Sequence, residues 1–195
     1  TDSGYKTSEI GFSLGTEFEQ FQNVFLSPEI DFLIEDLETS DKASNVLKKQ
    51  EGSYTDLYFN YSINQDLRDK KYNTESGYVS NFAQELPIIS DNAELSNAIT
   101  LTKFHKLSTR SNMIGKVSFY GKTITGLNDD VRISKRLNIP SFRLRGFEKG
   151  KVGPIENNDY IGGNHMPHMQ AGLKQSINGW KSSNCHMIDV FSALC

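Results

Sequence analysis

The chain has 195 residues and a formal net charge of -3, with 36% hydrophobic and 11% aromatic side chains. That balance argues against a basic nucleic-acid-binding surface, and no apolar run approaches the ~18 residues of a membrane-crossing helix. Few aliphatic residues beside many Tyr, Phe, Asn, Ser and Thr suit β-strands with one wet face.

In chain order, the dominant signal is alternation with a period of two. Ile10, Phe12, Leu14 and Phe18 share one face, opposite Gly11, Ser13, Gly15 and Glu17. Leu26, Pro28, Ile30, Phe32 and Ile34 repeat the pattern against Ser27, Glu29, Asp31 and Glu35. Leu57, Phe59, Tyr61 and Ile63 do so against Tyr58, Asn60, Ser62 and Asn64. Tyr78, Phe82, Leu86 and Ile88 mark a fourth strand, Leu95, Ile99 and Leu101 a fifth, and Val117 with Phe119 a sixth. Polar turn segments lie between them at 20–23, 38–52, 66–77, 90–93 and 108–112. No helical period is evident before residue 164.

The expected fold class is therefore all-β and antiparallel. Two architectures fit the alternation: a soluble sandwich or barrel with apolar faces inward, or a transmembrane barrel with apolar faces toward lipid. The expected strands run about ten to fourteen residues, against the ~5–6 usual in soluble sheets and the ~9–11 that a tilted strand needs to cross a bilayer. Aromatic residues near the expected strand ends (Phe18, Phe25, Tyr54, Tyr78, Phe104 and Tyr120) suit the girdles of a membrane barrel. The carboxylates Glu29, Asp31 and Glu35 read as a solvated strand face.

Three motifs add to this pattern. The stretch "SINQDLRDKKYNTESGY" carries Asp66, Arg68, Asp69, Gly77 and Tyr78. The stretch "LRGFEKGKVGP" carries Arg145, Gly146, Phe147, Gly153 and Pro154, and "DYIGGN" carries Gly162, Gly163 and Asn164. In this order, after several alternating strands, they resemble the BamA family of outer-membrane β-barrel assembly factors, within the surface-antigen superfamily. There, D-x-R-D-x-x-x-x-P-x-x-G-Y marks a strand end, R-G-F/Y followed by G-P forms the sixth extracellular loop, and G-G-N opens the next strand. Thr74 stands at or beside the usual proline. The resemblance spans residues 4 to 164. It is shared in part by the barrel of the translocation and assembly module and by two-partner secretion transporters.

The resemblance implies a partial barrel of about six to seven strands, taken from a larger one, with a long loop folded into the lumen. It implies that Arg145 contacts the inner wall and that Phe147 anchors beside it. A guanidinium suits that role, because its fork of five donors can hold a loop against carboxylates. The implied function is insertion and folding of client β-barrel proteins in the outer membrane of a Gram-negative bacterium. The implied partners are the outer-membrane lipid bilayer, client barrels and the lipoproteins of the assembly machine. The alternatives are a polypeptide-secretion barrel of the same superfamily and a soluble β-sandwich binding domain. No enzyme, cofactor, metal or nucleic-acid function is expected, since no catalytic order, phosphate loop or metal spacing is present.

Residues 165–195 read as an atypical tail, either sequence foreign to the native barrel or a divergent, genuine ending. They lack alternation and hold His165, His168, His186, the only tryptophan and both cysteines, Cys185 and Cys195. His165 and His168 have helical i,i+3 spacing, but Pro167 lies between them, and a short helix fits 188–194. The chain begins at Thr1, so the native N-terminus is expected upstream. An open sheet edge is unsatisfied in hydrocarbon, so the sequence is expected to be a piece of a longer protein.

Overall fold

The computed structural model describes residues 5–40, 43, 45–108, 110, 112–140, 143, 151–156, 159–176 and 183–192. Eight long strands form one antiparallel sheet: β1 (Tyr5–Gly15), β3 (Val24–Thr39), β4 (Gly52–Asp66), β5 (Gly77–Ser90), β6 (Glu94–Ser108), β7 (Met113–Gly126), β10 (His165–Ser176) and β11 (Ser183–Ser192). They lie in the order β1-β3-β4-β5-β6-β7-β10-β11, and β2 (Phe18–Phe21) pairs with β3 at its start. Among the described residues no pairing joins β11 to β1, so the sheet is open. Outside it are a four-residue helix, α1 (Asn45–Lys48), and a small hairpin of β8 (Ile155–Glu156) and β9 (Asp159–Tyr160). No helix among the described residues is long and apolar enough to cross a membrane, which has no bearing on strands.

The register decides between the two architectures. Ile10 pairs with Ile34, Phe12 with Phe32 and Leu14 with Ile30. These side chains stay 38–75% exposed, and Ile63, Leu101, Val117 and Phe119 further round the sheet are 38–44% exposed. The opposite face carries the buried polar groups Glu35, Asp56, Glu94, Ser96 and His168. A soluble barrel would put its apolar face inside; this sheet puts that face outside over a polar lumen, as lipid-facing barrel walls do. Glu29, Asp31 and Glu35 of β3 are thus on the lumen face, and Glu35 is fully buried, not part of a solvated face as its sequence context suggested.

The girdle expected from aromatic residues is only partly formed. Phe18, opposite Leu26, and Tyr78, at the lower end of β5, lie on the outer face. Tyr54 and Tyr120 instead pack inside against the lumenal clusters. Phe25 (opposite Asn64) and Phe104 (opposite Lys116) share the lumen parity.

After Asn164 the sequence shows no alternation, yet the structure forms β10 and β11. β10 pairs with β7 from His165↔Thr123 to Gln175↔Met113. The free edge of β7 supplies the template for this pairing. Met166 fills the lumenal apolar cluster, and His168 is 3% exposed. Strand parity puts His165 and His168 on opposite faces, so the helical spacing brings no pair of imidazoles together. The stretch expected as a short helix instead lies largely within β11.

Two apolar clusters sit at one end of the lumen. One joins Ile124 and Met166 on the wall to Val131, Leu137 and Ile139 of the β7–β8 connection. The other joins Leu37 to Ile133 of that connection and to Ala43 and Leu47 of the β3–β4 loop. The connection therefore plugs this end, and its apolar side chains substitute for the wet face it covers.

Candidate functional site

The plugging segment is tied down from its first residue. Leu127 N–H donates to Ala93 O at 2.8 Å, and Ala93 N–H donates to Asn128 Oδ1 at 2.8 Å. Asn92 Nδ2 donates to Asp130 O at 3.0 Å. A single turn follows, in which Lys135 and Arg136 donate backbone N–H bonds to Arg132 O.

Arg132 occupies the centre and is fully buried. Its Nη1 lies 3.3 Å from Glu35 Oε2 on β3, and its Nη2 lies 2.5 Å from Asp56 Oδ2 on β4. Nη2 is also 3.5 Å from Glu94 Oε2 at the start of β6. The backbone N–H of Arg132 donates to Glu94 Oε1 at 2.6 Å. Nη2 donates to Tyr58 Oη at 3.3 Å, and the guanidinium carbon stands 4.6 Å from the Tyr54 ring centre. Ser90 on β5 completes the ring by donating to Asp56 Oδ1 at 2.6 Å. Three strands thus converge on one side chain, and a fourth, β5, supports it through Ser90 and Asp56. Burial by itself would lower the pKa of Arg132; the Asp56 hydrogen bond and the charges of Glu94 and Asp56 outweigh it and raise the pKa. The guanidinium therefore stays charged.

The β3–β4 loop closes over the same point. Ile133 N–H donates to Gln50 Oε1 at 2.8 Å, and Gln50 is held by Tyr54, whose hydroxyl donates to Gln50 O at 2.7 Å. Leu47 of α1, 1% exposed, caps the apolar side. Chemically this is a mechanical site: it fixes a loop to a wall.

The sequence motifs fall in three places. Arg145, Gly146 and Phe147, expected to make the wall contact, lie outside the described residues. Gly153 and Pro154 sit on the return of the connection, where Ile161 N–H donates to Pro154 O at 3.1 Å. Gly162 and Gly163 meet the plug directly: Leu137 and Gly163 exchange backbone hydrogen bonds at 2.8 and 3.0 Å. Gly162 has φ +68°, and a Cβ there would stand 2.8 Å from Leu137 O. Asn164 O accepts from Ile124 N–H at 2.8 Å, which starts β10 beside β7.

The third place is the β4–β5 turn at the far end of the strands. Arg68 grips Asp66 with Nε at 2.8 Å and Nη2 at 2.7 Å. Asp69 Oδ1 accepts from Glu75 and Ser76 N–H at 3.1 and 3.2 Å. Thr74, standing near the expected proline, is 7% exposed and donates to Lys70 O at 2.7 Å, so a hydroxyl shapes the turn instead of a ring. Tyr78 Oη donates to Gln65 Oε1 at 3.1 Å. The turn is anchored to the wall by Lys106, 2.9 Å from Glu75, and that bond holds the Glu75 carboxyl below its ordinary pKa. Lys174 on β10 donates to Asn73. Gly77 has φ +100°, and a Cβ would stand 2.2 Å from Leu67 O. Gly77→Ala is therefore expected to lower folding stability by about 1–3 kcal/mol, measured as the urea midpoint of the complete protein in lipid vesicles. An unchanged midpoint would show that the turn relaxes freely.

Arg132 was not among the residues the motifs singled out. Its signal in the sequence is faint: one arginine in an acidic-to-basic run, "DDVRISKR", whose partners lie 38 to 97 positions away.

Comparison with known proteins agrees with this architecture. The fold is similar to that of BamA from Haemophilus ducreyi lacking POTRA domains 1-3, a crystal structure that aligns with TM-score 0.85 at 15% sequence identity. The match covers 97% of this chain but 42% of that one, so this chain spans less than half the length of its structural counterpart. No curated protein matches the sequence. The Omp85 superfamily domain matches residues 1–191, nearly the whole inside-out sheet and its plug, and the chain belongs to the Omp85 superfamily.

Proposed function

We propose that this chain forms the loop-bearing wall of an outer-membrane assembly factor, a protein that inserts and folds client β-barrels in the outer membrane of a Gram-negative bacterium. The observation that carries the reading is the lumenal segment fixed through Arg132 to three strands, with a fourth reached through Asp56 and Ser90. A segment held this way stiffens the wall on that side, which suits an assembly factor that works on its clients elsewhere on the barrel. Membership of the superfamily and the BamA-like fold agree with the reading. Its partners are then the outer-membrane bilayer, client barrels and the machine's lipoproteins. In this reading Arg145, Gly146 and Phe147, with Gly153 and Pro154, extend the plug deeper into the lumen, and Asp66, Arg68 and Asp69 brace the opposite end.

The test is reconstitution of the complete protein in lipid vesicles with a urea-unfolded client barrel. The reading expects the client to fold at least tenfold faster than into empty vesicles. No acceleration, together with passage of an unfolded polypeptide across the bilayer, would replace it with the secretion-barrel alternative.

A further inference from the structure

One cross-strand row on the outward face is polar from β4 to β10. Tyr61, Gln84, Asn97, Thr123 and His165 stand side by side along it. The next row away from the plugged end is apolar, with Ile63, Phe82, Ile99, Gly121 and Pro167. The first part of the polar row satisfies itself. Tyr61 Oη donates to Gln84 Oε1 at 2.8 Å, and Gln84 Nε2 donates to Asn97 Oδ1 at 2.5 Å. The ladder stops there. Among the described residues Asn97 Nδ2, the Thr123 hydroxyl and the His165 ring have no hydrogen-bonding partner.

Where the ladder stops, a groove of about 430 Å³ opens on the outward face, within the ~300–1,000 Å³ of small-molecule sites. Phe82, Ile99, Phe119 and Pro167 line it, and Asn97, Thr123 and His165 stand along one side. Gly121 makes the dip, since it puts no side chain between Ile99 and Pro167 on the flanking strands. His165 is the first residue of β10, and Thr123 lies near the end of β7. The three donors therefore stand near the plugged rim of the wall.

We propose that this groove holds one glycerophospholipid, with an acyl chain over Gly121 and its ester and phosphate oxygens on Asn97, Thr123 and His165. The inference rests on the outward orientation of the apolar face, not on which activity the barrel performs. Donors that face hydrocarbon cost free energy until something accepts their hydrogen bonds. The amide, the hydroxyl and the imidazole each carry at least one such donor. Alkyl chains cannot accept from them. A lipid joins acceptor oxygens to an apolar chain, and the groove presents the two matching chemistries two residues, about 7 Å, apart. Width decides against a membrane helix of a partner. Neighbouring strands lie about 4.8 Å apart, so the dip from β6 to β10 spans about 10 Å. An alkyl chain lies within it, whereas a helix, about 10–12 Å across with its side chains, rides on the rims.

The experiment is native mass spectrometry of the complete protein, released from micelles and titrated with dimyristoyl phosphatidylethanolamine. Heat-modifiable gel mobility first confirms that each variant is folded. One saturable lipid adduct is expected in the wild type. Gly121→Phe fills the dip with an apolar ring that a lipid-facing wall accepts, and should weaken the adduct about tenfold or more. Thr123→Val combined with His165→Leu removes two donors but keeps the Gln84–Asn97 bond, with an expected loss of about tenfold. Ile30→Phe adds the same ring to the same face on β3, away from the groove, and should leave binding within about twofold. A graded series of adducts without saturation, equal binding in Gly121→Phe and Ile30→Phe, or no loss on removing the two donors, as on a plain apolar surface, would each overturn the proposal. So would photo-crosslinking in cells through Phe82→benzoylphenylalanine that joins the groove to a second polypeptide instead of lipid.

Discussion

Replacing Arg132 with alanine is expected to free the plug. The change removes one buried cation and leaves three carboxylates, Glu35, Asp56 and Glu94, at 0–2% exposure without their counter-charge. Truncating one side of a buried ion pair costs about 3–5 kcal/mol. A cost of that size shifts the seated-to-released ratio more than a hundredfold. Limited proteolysis of the complete protein in vesicles reads this directly, as cleavage after Lys135 and Arg136 that is expected in the variant and not in the wild type. Arg132→Lys should recover only part of the protection. An ammonium is a single point charge and cannot reach Glu35 through one arm and Asp56 through the other. Full protection in both variants would show that the apolar clusters around Val131 and Ile133 hold the segment unaided.

The second large effect is expected on the outer face. Ile99, in the upper half of β6 and 37% exposed, faces lipid in this architecture. Ile99→Arg should cost about 2–4 kcal/mol if it lies near the bilayer midplane, seen as a lower urea midpoint for folding into vesicles. On a soluble sheet, a residue with over a third of its surface in water would accept arginine within about 0.5 kcal/mol. The two architectures therefore give different numbers for one substitution.

Much of the wall was legible because alternation is a property of each strand alone. Every run of alternating residues from Ile10 to Phe119 became a strand. The direction of the faces was not legible from Ile30, Phe32 and Ile34 alone, since the same period serves lipid or a dry core. Pairing with β1 decided it, by exposing Phe32 and Phe12 together. The aromatic residues misled for a related reason. Tyr54 lies near the start of β4 and Tyr120 in the middle of β7, both on the lumen parity, where one stacks on Arg132 and the other on Arg143. Glu35 looked solvated because its partner is 97 positions away, and no local pattern carries a contact of that separation. The β10 strand was missed because its pairing comes from the edge of β7, with Pro167 and Gly172 accepted in strand positions that their propensities disfavour.

Residues 127–140 sit as a fixed plug against the inner wall. Hydrogen exchange of the amides of Arg132 and Ile133, in the complete protein in lipid bilayers, tests it most directly. Their N–H groups donate to Glu94 Oε1 at 2.6 Å and to Gln50 Oε1 at 2.8 Å. Protection comparable to the amides of β4 and β6 is expected, lost on Arg132→Ala while the strands stay protected. Exchange of both amides in the wild type at the rate of an exposed loop would contradict it.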